Sequence, residues 1–176
     1  MPNRNNKGIN AHTDEKGGKQ VKNKKFYTAR GYQRLQQEKK KLTPSMEDYL
    51  EMIYRDCLAE GYSRVNTLAE NLNVQASSAS KMVQKLTDLK LLDFERYGII
   101  RLTDTGRELG EFLLNRHQTI ETFLANLGVT ESLLTETEMI EHNVSLATLN
   151  RIVQLNQFFE ENPQIHQQYL KFAEEE

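Results

Sequence analysis

Residues 65–92 read VNTLAENLNVQASSASKMVQKLTDLKLL, and their pattern of apolar and polar residues predicts a specific fold. Apolar side chains recur there at helical spacing on both sides of a tight turn at residues 73–75, which predicts two short helices. We expect Asn66 to cap the first helix and the second helix to begin near Ser77. The inward-facing side chains should be those of Leu68, Ala69, Leu72, Val74, Met82, Val83 and Leu86. Two short helices joined by so brief a turn indicate a helix-turn-helix.

The residues on either side of this helix pair favour a winged helix. Upstream, TPSMEDYLEMIY (residues 43–54) predicts a helix that begins with Thr43 as its cap. Downstream, LDFERYGIIRLTDTG (residues 92–106) reads as two strands joined by a turn at residues 97–98. A helix, a helix-turn-helix and a hairpin in this order predict a winged helix-turn-helix DNA-binding domain over residues 43–105.

Polar side chains mark the surface of this domain that we expect to face DNA. They lie at the start and along the outward side of the second short helix, where such a helix enters the major groove, and in the turn of the hairpin. The predicted DNA-binding residues are Gln75, Ser77, Ser78, Ser80, Lys81, Lys85, Arg96 and Tyr97.

The rest of the chain predicts further helices. TDTGRELGEFLLNRHQTIETFLANLG (residues 103–128) has apolar residues at helical spacing and ends in a glycine, which is typical of helix ends. TESLLTETEMIEHNV (residues 130–144) holds another helix, and SLATLNRIVQLNQFFEENP (residues 145–163) predicts one that ends before Pro163. We therefore expect a mainly α protein. Residues 106–176 should form an all-helical domain for dimerisation, because a winged helix usually reads two half-sites.

Charge is distributed unevenly along the 176 residues. Residues 1–42 carry twelve Lys/Arg and three Asp/Glu, whereas the remaining 134 residues carry eleven and twenty-two. This basic N-terminal extension has no apolar periodicity over its first 25 residues and is expected to be disordered. No apolar run approaches the ~18 residues of a membrane span, and no signal-peptide pattern is present. We therefore expect a cytoplasmic protein, in which the single cysteine, Cys57, is a small core residue.

The stretch EMIEH (residues 138–142) places Glu138, Glu141 and His142 on one helical face. Two carboxylates and an imidazole on one face are compatible with a metal site. A solvated acidic face has the same pattern, so these residues alone leave both interpretations open.

Four segments together change that balance. TPSMEDYLEMIY, SSASKMVQKL, NRHQTIETFL and EMIEH resemble, in order and spacing over residues 43–165, the manganese-responsive members of the diphtheria toxin repressor family. This resemblance implies a homodimeric, Mn²⁺-activated repressor of manganese-uptake genes that binds a palindromic DNA operator. It also implies a site for two Mn²⁺ ions per subunit, in the helical domain and the first helix. The ligands carried over are Asp48, Glu51, His117, Glu138, Glu141 and His142.

The donor set favours Mn²⁺ over Fe²⁺. All six residues offer oxygen or nitrogen, which suits a hard ion, whereas sulfur ligands favour softer ions. Met and Cys stand in the iron-responsive relatives where this chain has Asp48 and Glu138. An iron-responsive regulator of the same family, using Fe²⁺, is the alternative.

Two other classes of protein share parts of the pattern. A di-metal enzyme also uses carboxylates and histidines on helices, but such folds need Glu-x-x-His pairs on a four-helix bundle. The chain shows no nucleophile motif, phosphate-binding loop or HExxH pattern, so we expect no enzymatic activity and no small-molecule substrate. A metal-independent winged-helix regulator remains as the second alternative.

Overall fold

The structure is a computed structural model that describes residues 41–174, and it is mainly helical, as predicted. The predicted disorder of the basic extension falls outside the described residues, except for Lys41 and Leu42. No helix within the described range is long and apolar enough to cross a membrane. The elements are α1 (Pro44–Glu60), β1 (Ser63–Arg64), α2 (Val65–Asn71), α3 (Ala76–Asp88), β2 (Leu92–Phe94), β3 (Ile99–Leu102), α4 (Asp104–Asn126), α5 (Leu133–Glu141), α6 (Leu146–Glu161) and α7 (Pro163–Glu174).

Helix α1 begins as its sequence predicts. The Thr43 side chain accepts a hydrogen bond from the Met46 amide, and Pro44 takes the first helical position, where its missing N–H costs nothing. At the other end, Gly61 adopts a φ of 81° and donates its amide to the Cys57 carbonyl. These two ends set the length of α1, which carries two of the six predicted metal ligands.

The helix-turn-helix is present as α2 and α3, with two local corrections. Arg64, not Asn66, precedes α2, because β1 pairs with β3 and holds the backbone extended through Arg64. Helix α3 starts at Ala76, in agreement with the expected start near Ser77. Val74 was predicted to face inward, but its side chain is 39% exposed in the turn between the helices. The backbone of Val74 is the part that is anchored, through its amide to the Ala69 carbonyl.

The predicted hairpin is confirmed as the antiparallel pair β2 and β3. Leu92 pairs with Leu102 and Phe94 with Ile100, and a 3₁₀ turn at residues 96–98 joins the strands. β1 adds a third strand on the other side of β3. Sequence reasoning missed β1 because two residues are too few to show an alternating pattern.

The C-terminal half contains the three predicted helices and one that was missed. α6 ends before Pro163, as expected, but Pro163 then starts α7 instead of ending helical structure. Proline suits the first position of a helix, so it marks the boundary between two helices here. α7 packs back through His166, whose ring stacks on Phe159 and whose Nε2 lies 2.9 Å from the Asn126 carbonyl oxygen.

Helix α4 contributes to both hydrophobic cores of the described chain. Its first half places Leu109 and Leu113 in the core of the winged domain. Its second half places Ile120 and Leu124 in a smaller core that also contains Leu149 of α6. The middle of α4 therefore lies at the junction of the two cores, and His117 is located there.

Glycine is required where α4 leaves the hairpin. A Cβ atom on Gly106 would lie 1.9 Å from the carbonyl oxygen of Leu91, an overlap that neither backbone can relieve without moving. That carbonyl is itself held, because it accepts hydrogen bonds from the amide and the hydroxyl of Thr103.

We expect Gly106→Ala to destabilise the protein by about 1 to 3 kcal/mol, the usual cost of forcing extra atoms into packed structure. Chemical denaturation followed by circular dichroism measures this free energy of unfolding. Asn115→Ala, at an exposed position of the same helix, is the control and should stay within ~0.5 kcal/mol of wild type. Equal stability of Gly106→Ala and the control would contradict the close approach of α4 to Leu91.

Candidate metal centre

Three helices bring the six predicted ligands to one junction. α1 carries two carboxylates three residues apart, the middle of α4 carries one imidazole, and the last turn of α5 with its C-cap carries the remaining three groups. Spacings of three and four residues keep the groups of each helix on one face. By helix, the residues are Asp48 and Glu51, then His117, then Glu138, Glu141 and His142.

One cluster of possible ligand atoms contains Asp48, Glu141 and His142. Their atoms lie within 4.8 Å of one another. His142 Nε2 is 3.0 Å from Asp48 Oδ1 and 3.7 Å from Glu141 Oε1. Oxygen and nitrogen donors at this separation could close on a single cation with small side-chain movements.

A second cluster contains Glu51, His117 and Glu141, again with ligand atoms within 4.8 Å of one another. His117 Nδ1 is 3.0 Å from Glu141 Oε2 and 4.0 Å from Glu51 Oε1. Glu141 is therefore common to both clusters, with Oε1 toward His142 and Oε2 toward His117. Its side chain is almost completely buried, at 3% exposure for the residue. Glu141 thus presents one oxygen to each group of donors.

Glu138 lies beside this arrangement and belongs to neither cluster. The residue is exposed on α5, one turn before Glu141, and its charge is among the causes that raise the pKa of Asp48. Its role as a ligand stays a prediction.

The metal-free site holds its protons more strongly than isolated side chains do. Burial raises the pKa of Asp48, which His142 partly offsets and the neighbouring carboxylates reinforce. The hydrogen bond to Glu141 raises the pKa of His117, with burial acting in the opposite direction. Metal binding at these groups competes with proton binding, because only deprotonated carboxylates and neutral imidazoles act as ligands.

Sequence reasoning missed a buried ion pair behind His142. Glu47 Oε2 is 2.8 Å from Arg116 Nη1 and 2.8 Å from His142 Nδ1. Arg116 is 2% exposed, so its charge depends on Glu47 for compensation. When His142 Nδ1 donates to Glu47, Nε2 is left as an acceptor facing Asp48, the tautomer that metal coordination needs.

A weak signal for this pair exists in the sequence. Glu47 immediately precedes one predicted ligand, Asp48, and Arg116 immediately precedes another, His117. The contact joins residues 69 positions apart, however, and no local pattern predicts such a pairing.

The predicted DNA-facing residues occupy one side of α3. The opposite side is buried in the first core through Ala79, Val83 and Leu86. Tyr97, at the tip of the hairpin, is 91% exposed with a φ of 65°. The Arg96 side chain lies outside the described part of the structure. The exposed predicted residues on and beside α3 are Gln75, Ser77, Ser78, Ser80, Lys81 and Lys85.

Two family models match consecutive parts of the chain. The model described as "Iron dependent repressor, N-terminal DNA binding domain" matches residues 41–99. The model described as "Iron dependent repressor, metal binding and dimerisation domain" matches residues 103–170. The second match includes α4, α5 and α6. Four of the predicted ligands lie on α4 and on α5 with its C-cap.

Two curated relatives are similar over most of their length, and both are HTH-type transcriptional regulators named MntR. The protein from Oceanobacillus iheyensis is 44% identical over 121 residues, which cover 68% of this chain and 82% of the relative. The protein from Lysinibacillus sphaericus is 45% identical over 124 residues, which cover 70% of this chain and 89% of the relative. Both relatives are regulators and not enzymes.

Solved structures share the fold. The manganese regulator SloR superposes with a TM-score of 0.59 at 32% identity, covering 66% of this chain and 55% of SloR. The metal-dependent transcriptional regulator MtsR gives 0.60 at 30% identity, with coverages of 66% and 55%. IdeR of T. acidophilum gives 0.55 at 31% identity, with coverages of 61% and 52%. The chain thus spans about half the length of these solved relatives.

These matches confirm the expected fold class and family resemblance. A winged domain that matches the DNA-binding model precedes a helical domain that matches the metal-binding and dimerisation model, in the order that the sequence predicted. The chain therefore belongs to the family of metal-dependent, DNA-binding transcriptional repressors that contains the MntR regulators and the iron-dependent repressors.

Proposed function

We propose that this protein is an Mn²⁺-activated repressor of manganese-uptake genes that binds a palindromic operator as a homodimer. The observation that carries the proposal is the position of Glu141, which is shared by two clusters of oxygen and nitrogen donors where α1 meets α4 and α5. The names of the relatives support the choice of metal, since they include MntR regulators and a manganese-dependent transcriptional repressor at 35% identity.

The residues fit a pair of hard cations. Asp48, Glu141 and His142 would hold one ion, and Glu51, His117 and Glu141 the other. Glu138, exposed one turn before Glu141 on α5, is the sixth proposed ligand. None of these donors is sulfur, which favours Mn²⁺. Fe²⁺ accepts the same donors and is the alternative ion.

Repulsion among the carboxylates makes the site responsive to a divalent metal ion. Asp48, Glu51 and Glu141 converge from two helices, and like charges at such distances destabilise their own approach. A bound divalent ion supplies the positive charge that offsets this repulsion. Asp48 and Glu51 can then remain close to His117 and Glu141, which holds α1 against α4 and α5.

The position of α1 matters for DNA because α1 and α3 share a core. Leu50 and Ile53 of α1 pack in the same cluster as Val83 and Leu86 of α3. An ordered α1 therefore orders α3, the proposed recognition helix, relative to the helical domain. In a homodimer this would fix the two recognition helices near one turn of DNA apart, ~34 Å.

We propose that DNA is contacted by the exposed side of α3 and by the wing, which is the β2–β3 hairpin with its turn at residues 96–98. Gln75, Ser77, Ser78 and Ser80 offer hydrogen-bonding groups to base edges, and the two lysines suit phosphates. Residues 64–107 also carry seven basic and five acidic side chains, whereas the chain beyond the basic extension is acidic. Arg96 and Tyr97 would approach the backbone next to the major-groove contact.

The direct test is operator binding titrated with Mn²⁺, Fe²⁺ and Zn²⁺ at one salt concentration, with DNA from the promoters of manganese-uptake genes. We expect Mn²⁺ to tighten binding by roughly 5- to 150-fold, the range of typical allosteric coupling. Glu141→Gln should abolish most of this gain, because it weakens both clusters at once. Glu160→Gln, an exposed position on α6, is the control and should keep the response.

Unchanged operator affinity at saturating Mn²⁺ would reject the proposal. If Glu141→Gln also bound DNA as wild type does, the result would favour a metal-independent winged-helix regulator. A stronger response to Fe²⁺ than to Mn²⁺ would favour the iron-responsive alternative.

Glu47 should matter for metal binding although it is not a proposed ligand. We expect Glu47→Gln to weaken Mn²⁺ binding by about 10- to 100-fold, the usual effect of losing the partner that orients a ligating histidine. Calorimetric titration of the metal-free variant measures this affinity. The loss should exceed that of Glu160→Gln, and a variant with wild-type affinity would show that Glu47 does not orient His142.

Lys81 should contribute a sequence-independent contact. We expect Lys81→Ala to weaken binding to operator and to random duplex by similar factors, and to reduce the slope of log K against log salt by about 1. Fluorescence anisotropy at several salt concentrations measures both quantities. Lys171→Ala, on α7, is the matched control and should leave the slope unchanged. A loss confined to the operator would instead assign Lys81 to base readout.

A further inference from the structure

One side chain at the metal centre is neither a proposed ligand nor a buried partner of one. Arg55 lies on α1, one turn after Glu51, and directs two nitrogen atoms at a single oxygen of that carboxylate. Arg55 Nη2 is 2.7 Å and Nε is 3.1 Å from Glu51 Oε1. These are charge-assisted hydrogen bonds, which are stronger than bonds between neutral groups.

The oxygen held by Arg55 is the one that faces the second cluster. Glu51 Oε1 is the atom that lies 4.0 Å from His117 Nδ1. Glu51 therefore offers the same oxygen to Arg55 and to any cation between His117 and Glu141. Arg55 also places a positive charge at the edge of this cluster, where it repels a second positive charge that enters.

The ion pair between Arg55 and Glu51 can break without disturbing the fold. The Arg55 side chain is 41% exposed, whereas that of Glu51 is only 10% exposed. Both residues belong to one helix at a spacing of four, so the pair can break without any change in the packing of α1. The guanidinium group can then turn into solvent, while Glu51 stays in the site.

We propose that Arg55 is an internal competitor of the metal, which holds Glu51 in the metal-free protein and lowers the affinity of the Glu51–His117–Glu141 cluster. The inference rests on the proposed metal-dependent function. Arg55 thereby raises the metal concentration at which the second cluster fills. The cluster of Asp48, Glu141 and His142 does not contain Glu51, so Arg55 affects it less.

The expected size of the effect is modest. Partly exposed ion pairs at this spacing contribute little to stability, so removing the competitor should tighten binding at the second cluster by about 1.5- to 5-fold. Arg55→Gln removes both the charge and the two-nitrogen contact. Arg55→Lys keeps the charge but not the planar guanidinium, so its affinity should fall between wild type and Arg55→Gln.

The experiment is a titration of the metal-free, full-length protein with Mn²⁺, with free Mn²⁺ measured by electron paramagnetic resonance. Wild type, Arg55→Gln, Arg55→Lys and Arg151→Gln are compared at one pH and salt concentration. Arg151 lies exposed on α6 and bonds to Gln154, so Arg151→Gln removes the same charge away from the clusters. We expect tighter binding of the second ion in Arg55→Gln and wild-type binding in Arg151→Gln.

The melting temperature of the metal-free protein provides a readout that separates competition from a structural role. A competitor stabilises the metal-free state, so Arg55→Gln should melt slightly lower without metal although it binds Mn²⁺ more tightly. If Arg55 only supported the fold, Arg55→Gln would lower both the melting temperature and the affinity for Mn²⁺.

The possible failures are distinguishable. Wild type that binds no Mn²⁺ would reject the proposed function together with this inference. Wild type that binds two ions, with equal or weaker binding of the second ion in Arg55→Gln, would overturn the role of Arg55 alone. An equal gain in Arg151→Gln would assign the effect to net charge and would overturn it as well.

Discussion

The main constraint on this structure is electrostatic: acidic side chains from separate helices converge in one partly buried junction, and their mutual repulsion has to be offset. Glu141 is the centre of this constraint, since both of its oxygens face an imidazole and its side chain is shielded from water. The clusters are held by the hydrogen bond between His117 and Glu141 and by the close contact of His142 with Asp48. The site is thus satisfied well enough to fold, and it remains able to accept positive charge.

Two arginines neutralise this junction in different ways. Arg116 is buried against Glu47, and Glu47 in turn contacts the ring of His142. Arg55 is partly exposed and bonds to an oxygen inside the second cluster. The difference in burial separates a permanent ion pair, which is costly to break, from one that a competing cation can replace.

Much of the architecture could be predicted because it follows from local patterns. Thr43, Pro44 and Gly61 define α1 through capping chemistry, and the apolar spacing around the 73–75 turn defines the helix-turn-helix. Features that depend on distant partners could not be predicted in this way. The pairing of β1 with β3 moved the start of α2 away from Asn66, and Glu47 and Arg116 meet across 69 positions.

The metal centre likewise has features that local patterns predict and features that depend on distant partners. Spacing placed its carboxylates and histidines on suitable helix faces, and family resemblance selected them from the other charged residues. Neither source of information indicates that Glu141 is common to two clusters, because this depends on how α1, α4 and α5 pack in three dimensions. The Arg55–Glu51 pair has the helical spacing of four and follows from a local pattern, but the position of the shared oxygen next to His117 does not.

Helix α4 has a consequence for how such a protein can change during evolution. Domain boundaries usually fall in exposed, flexible linkers that few contacts cross, and such linkers tolerate the exchange of a domain. Here Leu109 and Leu113 of the helix complete the winged domain, while Ile120 and Leu124 of the same helix complete the helical domain. An exchange at the junction would have to preserve the register of a continuous 23-residue helix. Gradual change of individual side chains around the junction is therefore the more accessible route to a new sensitivity.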